Sequence, residues 1–170
     1  MATVLLSSGA NVSLQNGEGQ TPLHIAATVG VLPVFKMCIH SFPQSTGRTP
    51  FGVLDESGDS AIHIAARNCR PPAGDAETPF RELVRYAVNN RADPCMRNSQ
   101  GDTPLLCASM GGDDKTVAFL IKFTYQESGE SLALPERNFS GESAVTHAAR
   151  HGHVDAIVQL AKLGAELDVR

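Results

Sequence analysis

The apolar and polar positions of the chain follow one pattern that occurs four times. Each copy has a glycine, a polar residue, a serine or threonine and then a mostly apolar run. The four copies are GQTPLHIAA from Gly19, GDSAIHIAA from Gly58, GDTPLLCAS from Gly101 and GESAVTHAA from Gly141. A unit that recurs through most of a chain is typical of a repeat architecture, in which each unit packs only on its neighbours. We therefore predict one domain of stacked units.

The residues of one copy predict a pair of helices. Thr21 is suited to cap a first helix, and Pro22 suits the first helical position because its missing N–H would be unpaired there anyway. Gly30 is suited to end this helix. A second helix is predicted by the apolar positions that follow, which are Val34, Phe35, Met37, Cys38 and Ile39. Polar, turn-prone stretches separate the units and predict hairpin-like connections.

The run TPLHIAA from Thr21, a following glycine, a second apolar helix and a GAN or RAD turn together resemble the ankyrin repeat. The resemblance covers almost the whole chain and implies an all-α solenoid of stacked helix-turn-helix units with hairpin-like loops. We predict a single ankyrin-repeat domain over 1–170. Its parts are a partial repeat at 1–15 and repeats at about 16–54, 55–97, 98–137 and 138–170. Neither end supplies the polar cap of an array, so we expect a segment of a longer chain.

The spacing of the copies departs from the resemblance. The four glycines lie 39, 43 and 40 residues apart, whereas an ankyrin unit has about 33 residues, so we expect insertions of roughly 6, 10 and 7 residues. The first follows a second helix, the second lies between two helices of one unit, and the third begins at Thr124 after another second helix. Thr78-Pro79, with Glu82 in the first turn, indicates that a helix resumes after the second insertion. The insertions are either passive surface loops or extensions of a binding surface.

Composition narrows the classes of partner. The net charge is −4 and the isoelectric point is near 5.8, with lysine and arginine scattered singly, so we expect no nucleic-acid partner. No apolar run reaches the roughly 18–20 residues that cross a bilayer, so we expect no membrane insertion. The four cysteines form no CxxC pair, which indicates reduced thiols in the cytoplasm or nucleus. We expect the fragment to be monomeric.

Motifs for catalysis are missing from the sequence. It has no Walker-type glycine run, no GxSxG and no HExxH, so we predict no catalytic residue, no cofactor and no enzyme activity. His147, His151 and His153 form one histidine cluster, and imidazole is a common metal ligand. No nearby cysteine or carboxylate completes a site, so we predict no metal and interpret His147 as a buried, hydrogen-bonded residue.

Two further histidines occupy the histidine position of the ankyrin motif. The resemblance implies that His24 and His63 each donate a hydrogen bond to backbone of the neighbouring unit and so join adjacent units. Leu106 and Thr146 occupy the same position in the other two copies. The bond is therefore expected to be lost or altered there.

The resemblance implies a protein-protein interaction module that binds a partner through a concave surface of hairpin tips and first-helix faces. The alternative is a regulatory or scaffolding segment of a larger enzyme or channel. Mapping the family's exposed positions onto this chain predicts these partner-binding residues: Gln15, Glu18, Gln20, Thr28, Glu56, Asp59, Arg67, Asn68, Arg97, Gln100, Asp102, Met110, Phe139, Glu142, Arg150 and His151.

Among these residues, Phe139 stands out because it is aromatic and lies at a predicted hairpin tip. Aromatic residues are enriched among those that dominate binding energy. The alternative is that its ring packs on the adjacent insertion. Both interpretations stay open at this stage.

Overall fold

The helices of the chain follow one another in pairs, as the repeated pattern predicts. In the computed structural model, residues 10–43, 49–72, 77–128 and 136–165 are described, with backbone alone for 125–128. Within these ranges there are eight α-helices and one short 3-10 helix, Pro50–Gly52. The α-helices are α1 Pro22–Val29, α2 Leu32–His40, α3 Ala61–Arg67, α4 Pro79–Asn89, α5 Pro104–Gly111, α6 Asp114–Ser128, α7 Ala144–Arg150 and α8 Val154–Lys162.

The helix ends lie where local chemistry places them. A proline occupies the first turn of α1, α4 and α5. The Thr78 hydroxyl accepts a hydrogen bond from the Arg81 N–H at 3.2 Å, so the predicted helix start after the second insertion is confirmed. Gly30 and Gly112 follow α1 and α5 with φ of +80° and +85°. This left-handed conformation costs glycine nothing and satisfies the last carbonyls of a helix.

The helices form two rows. The first helices of the four units, α1, α3, α5 and α7, pack consecutively on one another, and the second helices, α2, α4, α6 and α8, do the same. Helices of seven to eleven residues are too short to be stable alone, so the packing between units supports them. Alanines such as Ala27, Ala65 and Ala108 are buried in the first row and allow close approach. The all-α repeat solenoid is confirmed.

His24 and His63 join adjacent units as the resemblance implied. His24 Nε2 donates to the Asp59 carbonyl at 3.2 Å, and His63 Nε2 donates to the Asp102 carbonyl at 3.1 Å. In each ring Nδ1 accepts a hydrogen bond from the residue that precedes the helix. These partners fix the neutral tautomer that carries its proton on Nε2. Leu106, in the third unit, is buried and apolar, so it forms no such bond.

Burial of these two histidines predicts a pH dependence of stability. Burial lowers the pKa of His24 and His63 below the ordinary 6.5, so the unfolded chain takes up protons first as the pH falls through about 6.5. The free energy of unfolding should therefore decline below pH 6.5. His63→Gln should lower the free energy of unfolding at pH 7.5. It should also reduce the slope of that free energy against pH by up to about 1.4 kcal/mol per pH unit. Urea titrations between pH 7.5 and 5 measure both; an unchanged slope would contradict the assignment.

The insertions are partly integrated into the fold. Phe51, in the 3-10 helix of the first insertion, is buried and its ring centroid lies 6.2 Å from that of Phe35. The third insertion was predicted to begin at Thr124, but α6 continues to Ser128. The helix runs on because neither glycine nor proline occurs before Gly129. Residues 73–76 of the second insertion and 129–135 of the third lie outside the described residues.

A buried ion pair connects α4 and α6, two helices of the row of second helices, here called the outer row. Asp113 precedes α6, and its Oδ2 accepts a hydrogen bond from the Thr116 N–H at 3.0 Å. Arg81 on α4 donates to both carboxylate oxygens of Asp113, at 3.0 and 2.5 Å. Burial opposes ionisation of Asp113, but hydrogen bonds from Arg81 and Thr116 outweigh it and hold its pKa below the usual range. One carboxylate thus caps a helix and links two units.

Candidate partner-binding surface

Each unit begins with a hairpin tip held by an asparagine or aspartate. The side-chain oxygen of Asn16, Asp55, Asn98 and Asn138 accepts the backbone N–H of the residue four positions later, at 2.8 to 2.9 Å. A glycine three residues after each of them has φ between +72° and +80°. This geometry turns the chain sharply and places the residues between as a projecting tip.

Neighbouring tips are joined by single backbone hydrogen bonds. The N–H of Glu56 donates to the Glu18 carbonyl at 3.1 Å, that of Ser99 to Ser57 at 3.3 Å and that of Phe139 to Gln100 at 3.0 Å. Two predicted partner-binding residues also bridge tips. Gln15 donates to the Leu54 carbonyl at 2.9 Å and Arg97 to the Arg137 carbonyl at 2.9 Å, so both head groups already have partners within the fold.

The predicted partner-binding residues differ in exposure. Exposed residues are Gln15, Glu18, Thr28, Glu56, Arg97, Gln100, Phe139, Arg150 and His151; partly buried ones are Gln20, Arg67, Asn68, Met110 and Glu142. The prediction that Asp59 and Asp102 are exposed is wrong, because both are buried, at 3% and 0% exposure. Their carboxylates accept hydrogen bonds from neighbouring units.

One polar cavity brings four of the predicted residues together. Its volume is about 270 Å³, and its lining contains Asp59 and Arg67 from the second unit and Gln100 and Met110 from the third, together with Ser57 and Asn98. Arg67 binds the Asp59 carboxylate through both terminal nitrogens, and Asn98 Nδ2 donates to Asp59 Oδ1 at 2.7 Å. The cavity therefore lies at the junction of the two units.

A buried polar network continues from this cavity to the fourth unit. Asn138 Nδ2 donates to Asp102 Oδ1 at 2.9 Å, and His147 Nε2 lies 3.3 Å from the same oxygen. Burial opposes ionisation of Asp102, but hydrogen bonds from His147 and Asn138, with the charges of His147 and Arg67, outweigh it and lower its pKa. Asp102 Oδ2 and His147 Nδ1 have no hydrogen-bond partner among the described residues.

Sequence reasoning missed Asn98 and Asn138 in this network. The signal that could have found them is an asparagine or aspartate three residues before every motif glycine, at the same 39, 43 and 40 residue spacing. An asparagine there can hold its own tip with the side-chain oxygen and reach the preceding unit with the amide nitrogen. Asp55 has no amide nitrogen, so its side chain can hold its own tip but cannot donate to the preceding unit.

The ring nitrogens of the three histidines of the last unit have different partners. His153 Nε2 donates to the Met110 carbonyl at 2.8 Å, and His151 Nδ1 donates to the His147 carbonyl at 2.9 Å. The rings of His151 and His153 stack with centroids 6.1 Å apart. Across 10–43, 49–72, 77–128 and 136–165, no group of three histidine, cysteine or carboxylate residues is placed to hold a metal ion. Their role in the fold is hydrogen bonding.

An apolar cavity of about 600 Å³ lies at the α1 end of the stack. Gln15 and Gln20 contribute to its lining, but its walls are mainly aliphatic, including Leu14, Ile25 and Val29. These three side chains are 65%, 44% and 64% exposed. The predicted residues of the first unit thus border an apolar surface, whereas those of the second and third border a polar one.

Comparison with known proteins places the chain in a family. The sequence profile described as "Ankyrin repeats (3 copies)" matches residues 1–74 and 73–170. The chain therefore belongs to the ankyrin-repeat family, whose members act as protein-interaction modules and are generally not catalysts.

Several curated proteins are similar to the chain over nearly its whole length. Rabankyrin-5 of Homo sapiens is 24% identical over 97% of this chain and 14% of its own length. The transient receptor potential cation channel subfamily A member 1 of Homo sapiens is 28% identical over 96% of this chain and 13% of its own. The probable 26S proteasome regulatory subunit p28 of Saccharomyces cerevisiae is 27% identical, over 99% and 67% respectively. The chain thus spans about a seventh of the first two relatives.

No helix within the described ranges combines the length and the apolar character needed to cross a membrane. The longest, α6, has 15 residues and carries lysine and aspartate.

Proposed function

We propose that the chain binds a partner protein through the surface formed by the hairpin tips and the first helices, here called the tip face. The observation that carries the proposal is the cavity at the junction of the second and third units, which gathers four of the predicted residues in one polar site. Family membership supports protein as the class of partner. We also propose a monomeric, non-catalytic role in the cytoplasm or nucleus, without nucleic acid.

Two matched charge reversals test which side of the molecule binds. Glu56 is exposed at a tip, and its backbone N–H donates to the Glu18 carbonyl of the neighbouring tip. Lys122 is exposed on α6, in the outer row. We expect Glu56→Lys to reduce capture of the partner from a cell lysate at least about tenfold, since like charges across an interface cost several kcal/mol, and Lys122→Glu to leave it unchanged. The opposite pattern would place the interface on the outer helices.

Phe139 gives a sharper prediction within the same proposal. Its ring is 73% exposed and lies against Gly101 of the preceding tip. If Phe139 binds the partner, Phe139→Ala should weaken partner affinity by about 2 kcal/mol or more and should lower the free energy of unfolding by less than that. Calorimetric titration and urea unfolding of the same variant measure the two effects. Unchanged affinity with reduced stability would instead assign the ring to packing between tips.

The alternative role is regulation of another domain of the same polypeptide. It is favoured by the similarity to a cation channel subunit, of which the chain spans 13%. In that case the protein captured by the tip face would derive from the same gene as the chain. Peptide mapping of the captured protein distinguishes the two roles.

A further inference from the structure

The first tip contains the one asparagine of the chain that is followed by glycine, Asn16 before Gly17. Asparagine is thermolabile, because the backbone nitrogen of the next residue can attack its carboxamide, and glycine has no side chain to shield that nitrogen. Both residues are exposed to solvent. Six further asparagines precede residues that carry a side chain: Asn11, Asn68, Asn89, Asn90, Asn98 and Asn138.

The surroundings of Gly17 leave its nitrogen open to reaction. A Cβ built on Gly17 would meet nothing within 4 Å, and its N–H donates to no backbone oxygen among the described residues. The Asn16 carboxamide forms its hydrogen bonds there through Oδ1, so Nδ2 is not retained. By contrast, Nδ2 of Asn98 and of Asn138 donates to a buried carboxylate, at 2.7 and 2.9 Å.

Two backbone N–H groups of the first tip donate to the carboxamide oxygen of Asn16. They belong to Glu18 and Gln20 and lie 3.0 and 2.8 Å from Oδ1. When the Gly17 nitrogen adds to Cγ, negative charge develops on this oxygen. Donors already in place at such distances stabilise that charge as an oxyanion hole does. The fold of the tip therefore favours attack on this carboxamide.

We propose that Asn16 is a site of spontaneous deamidation and that the folded tip promotes the reaction. The Gly17 nitrogen forms a bond to Cγ, and the Cγ–Nδ2 bond breaks. The proton of the Gly17 N–H passes through water to Nδ2, which leaves as ammonia, and a succinimide ring is left. Water then opens the ring. Opening at Cγ gives aspartate, and opening at the backbone carbonyl carbon gives isoaspartate, in which the main chain passes through the former side chain.

The two products affect the first tip differently. Aspartate preserves its shape, because Asp55 holds the second tip by accepting the N–H groups of Ser57 and Asp59 at 2.9 Å. It adds one negative charge beside Glu18. Isoaspartate lengthens the main chain by a methylene and shifts Glu18, whose carbonyl accepts the Glu56 N–H. The tip face thus gains forms that differ in charge and shape, whether or not it binds a partner.

Peptide mapping by mass spectrometry tests the proposal on the whole chain, incubated for days at neutral pH. Deamidation replaces NH2 by OH, so the product gains mass, and fragmentation localises the modified residue. We expect Asn16 to react at least about tenfold faster than Asn98 and Asn138, a ratio that a barrier lower by about 1.4 kcal/mol produces. An intact Asn16, or equal rates at the three asparagines, would overturn the proposal.

Gly17→Ala is the matched control for the chemistry. Space around Gly17 accommodates the added methyl group, so the tip keeps its fold, but this group hinders the approach of the nitrogen to Cγ. The rate at Asn16 should fall at least about tenfold. An unchanged rate would rule out attack by the backbone nitrogen.

A synthetic peptide of residues 13–20 is the unfolded reference for the tip. It contains Asn16 and Gly17 but lacks the fixed N–H donors of Glu18 and Gln20, so we expect it to deamidate more slowly than the folded chain. A peptide that reacts as fast or faster would refute promotion by the tip.

Discussion

Replacing Asp113 by alanine is expected to lower the free energy of unfolding by about 3–5 kcal/mol. The substitution removes the cap of α6. It also removes the carboxylate that binds two nitrogens of Arg81, and this loss is costly because the Arg81 side chain is only 5% exposed. Glu77 Oε2 lies 3.5 Å from Arg81 Nη1, but the Glu77 side chain is exposed, so it replaces the buried carboxylate only in part. Urea unfolding followed by circular dichroism measures the loss.

Two variants separate the buried pair from general effects at the start of α6. Asp114→Ala changes the neighbouring, partly exposed residue and should cost at most about 1 kcal/mol through the helix dipole. Arg81→Met combined with Asp113→Ala removes both charges and should recover part of the loss, because no buried guanidinium is then deprived of the Asp113 carboxylate. A loss for Asp114→Ala as large as that for Asp113→Ala would refute this role of the pair.

Gly111→Ala should destabilise the protein by about 3 kcal/mol, the upper part of the range for overpacking. Gly111 is the last residue of α5, and a Cβ there would lie 2.4 Å from the Cys69 carbonyl oxygen and 2.9 Å from that of Arg67. Both oxygens belong to backbone at the end of α3, which cannot rotate away as a side chain can. The first helices of the second and third units would have to separate.

The matched control is Gly17→Ala, since a Cβ at Gly17 meets nothing within 4 Å. Gly17 is also absent from the residues with positive φ, so alanine fits its conformation. This variant should unfold at the same urea concentration as the unmodified protein or slightly above it. Equal urea midpoints of unfolding for Gly111→Ala and Gly17→Ala would show that α3 and α5 can move apart without loss of stability.

The fold could be predicted from the sequence because the information is local and repeated. A serine or threonine cap and a mostly apolar run define each first helix, a first-turn proline and a closing glycine are added in α1 and α5, and the four copies reinforce one another. The start of α4 at Pro79 was predictable for the same reason. The continuation of α6 to Ser128 was not, since nothing in the repeat specifies how far a helix extends into an insertion.

The candidate site was predictable by position but not by environment. Mapping exposed family positions found Asp59, Arg67, Gln100 and Met110, which line one cavity. It also assigned Asp59 and Asp102 to the surface. Both are buried because asparagines of the following units reach back to them, and such contacts between units do not show in the pattern of a single unit.

The few hydrogen bonds between successive tips determine where the array is mechanically soft. Below the tips, two rows of helices resist deformation through buried apolar contacts. Opening a tip junction breaks one backbone hydrogen bond and, at two of the junctions, a side-chain bond from Gln15 or Arg97 as well, each at a net cost of about 0.5–1.5 kcal/mol. Bending that spreads the tips is thus the motion of lowest stiffness. A bound protein can adjust the curvature of its own docking surface by this elastic route while the helices beneath stay assembled.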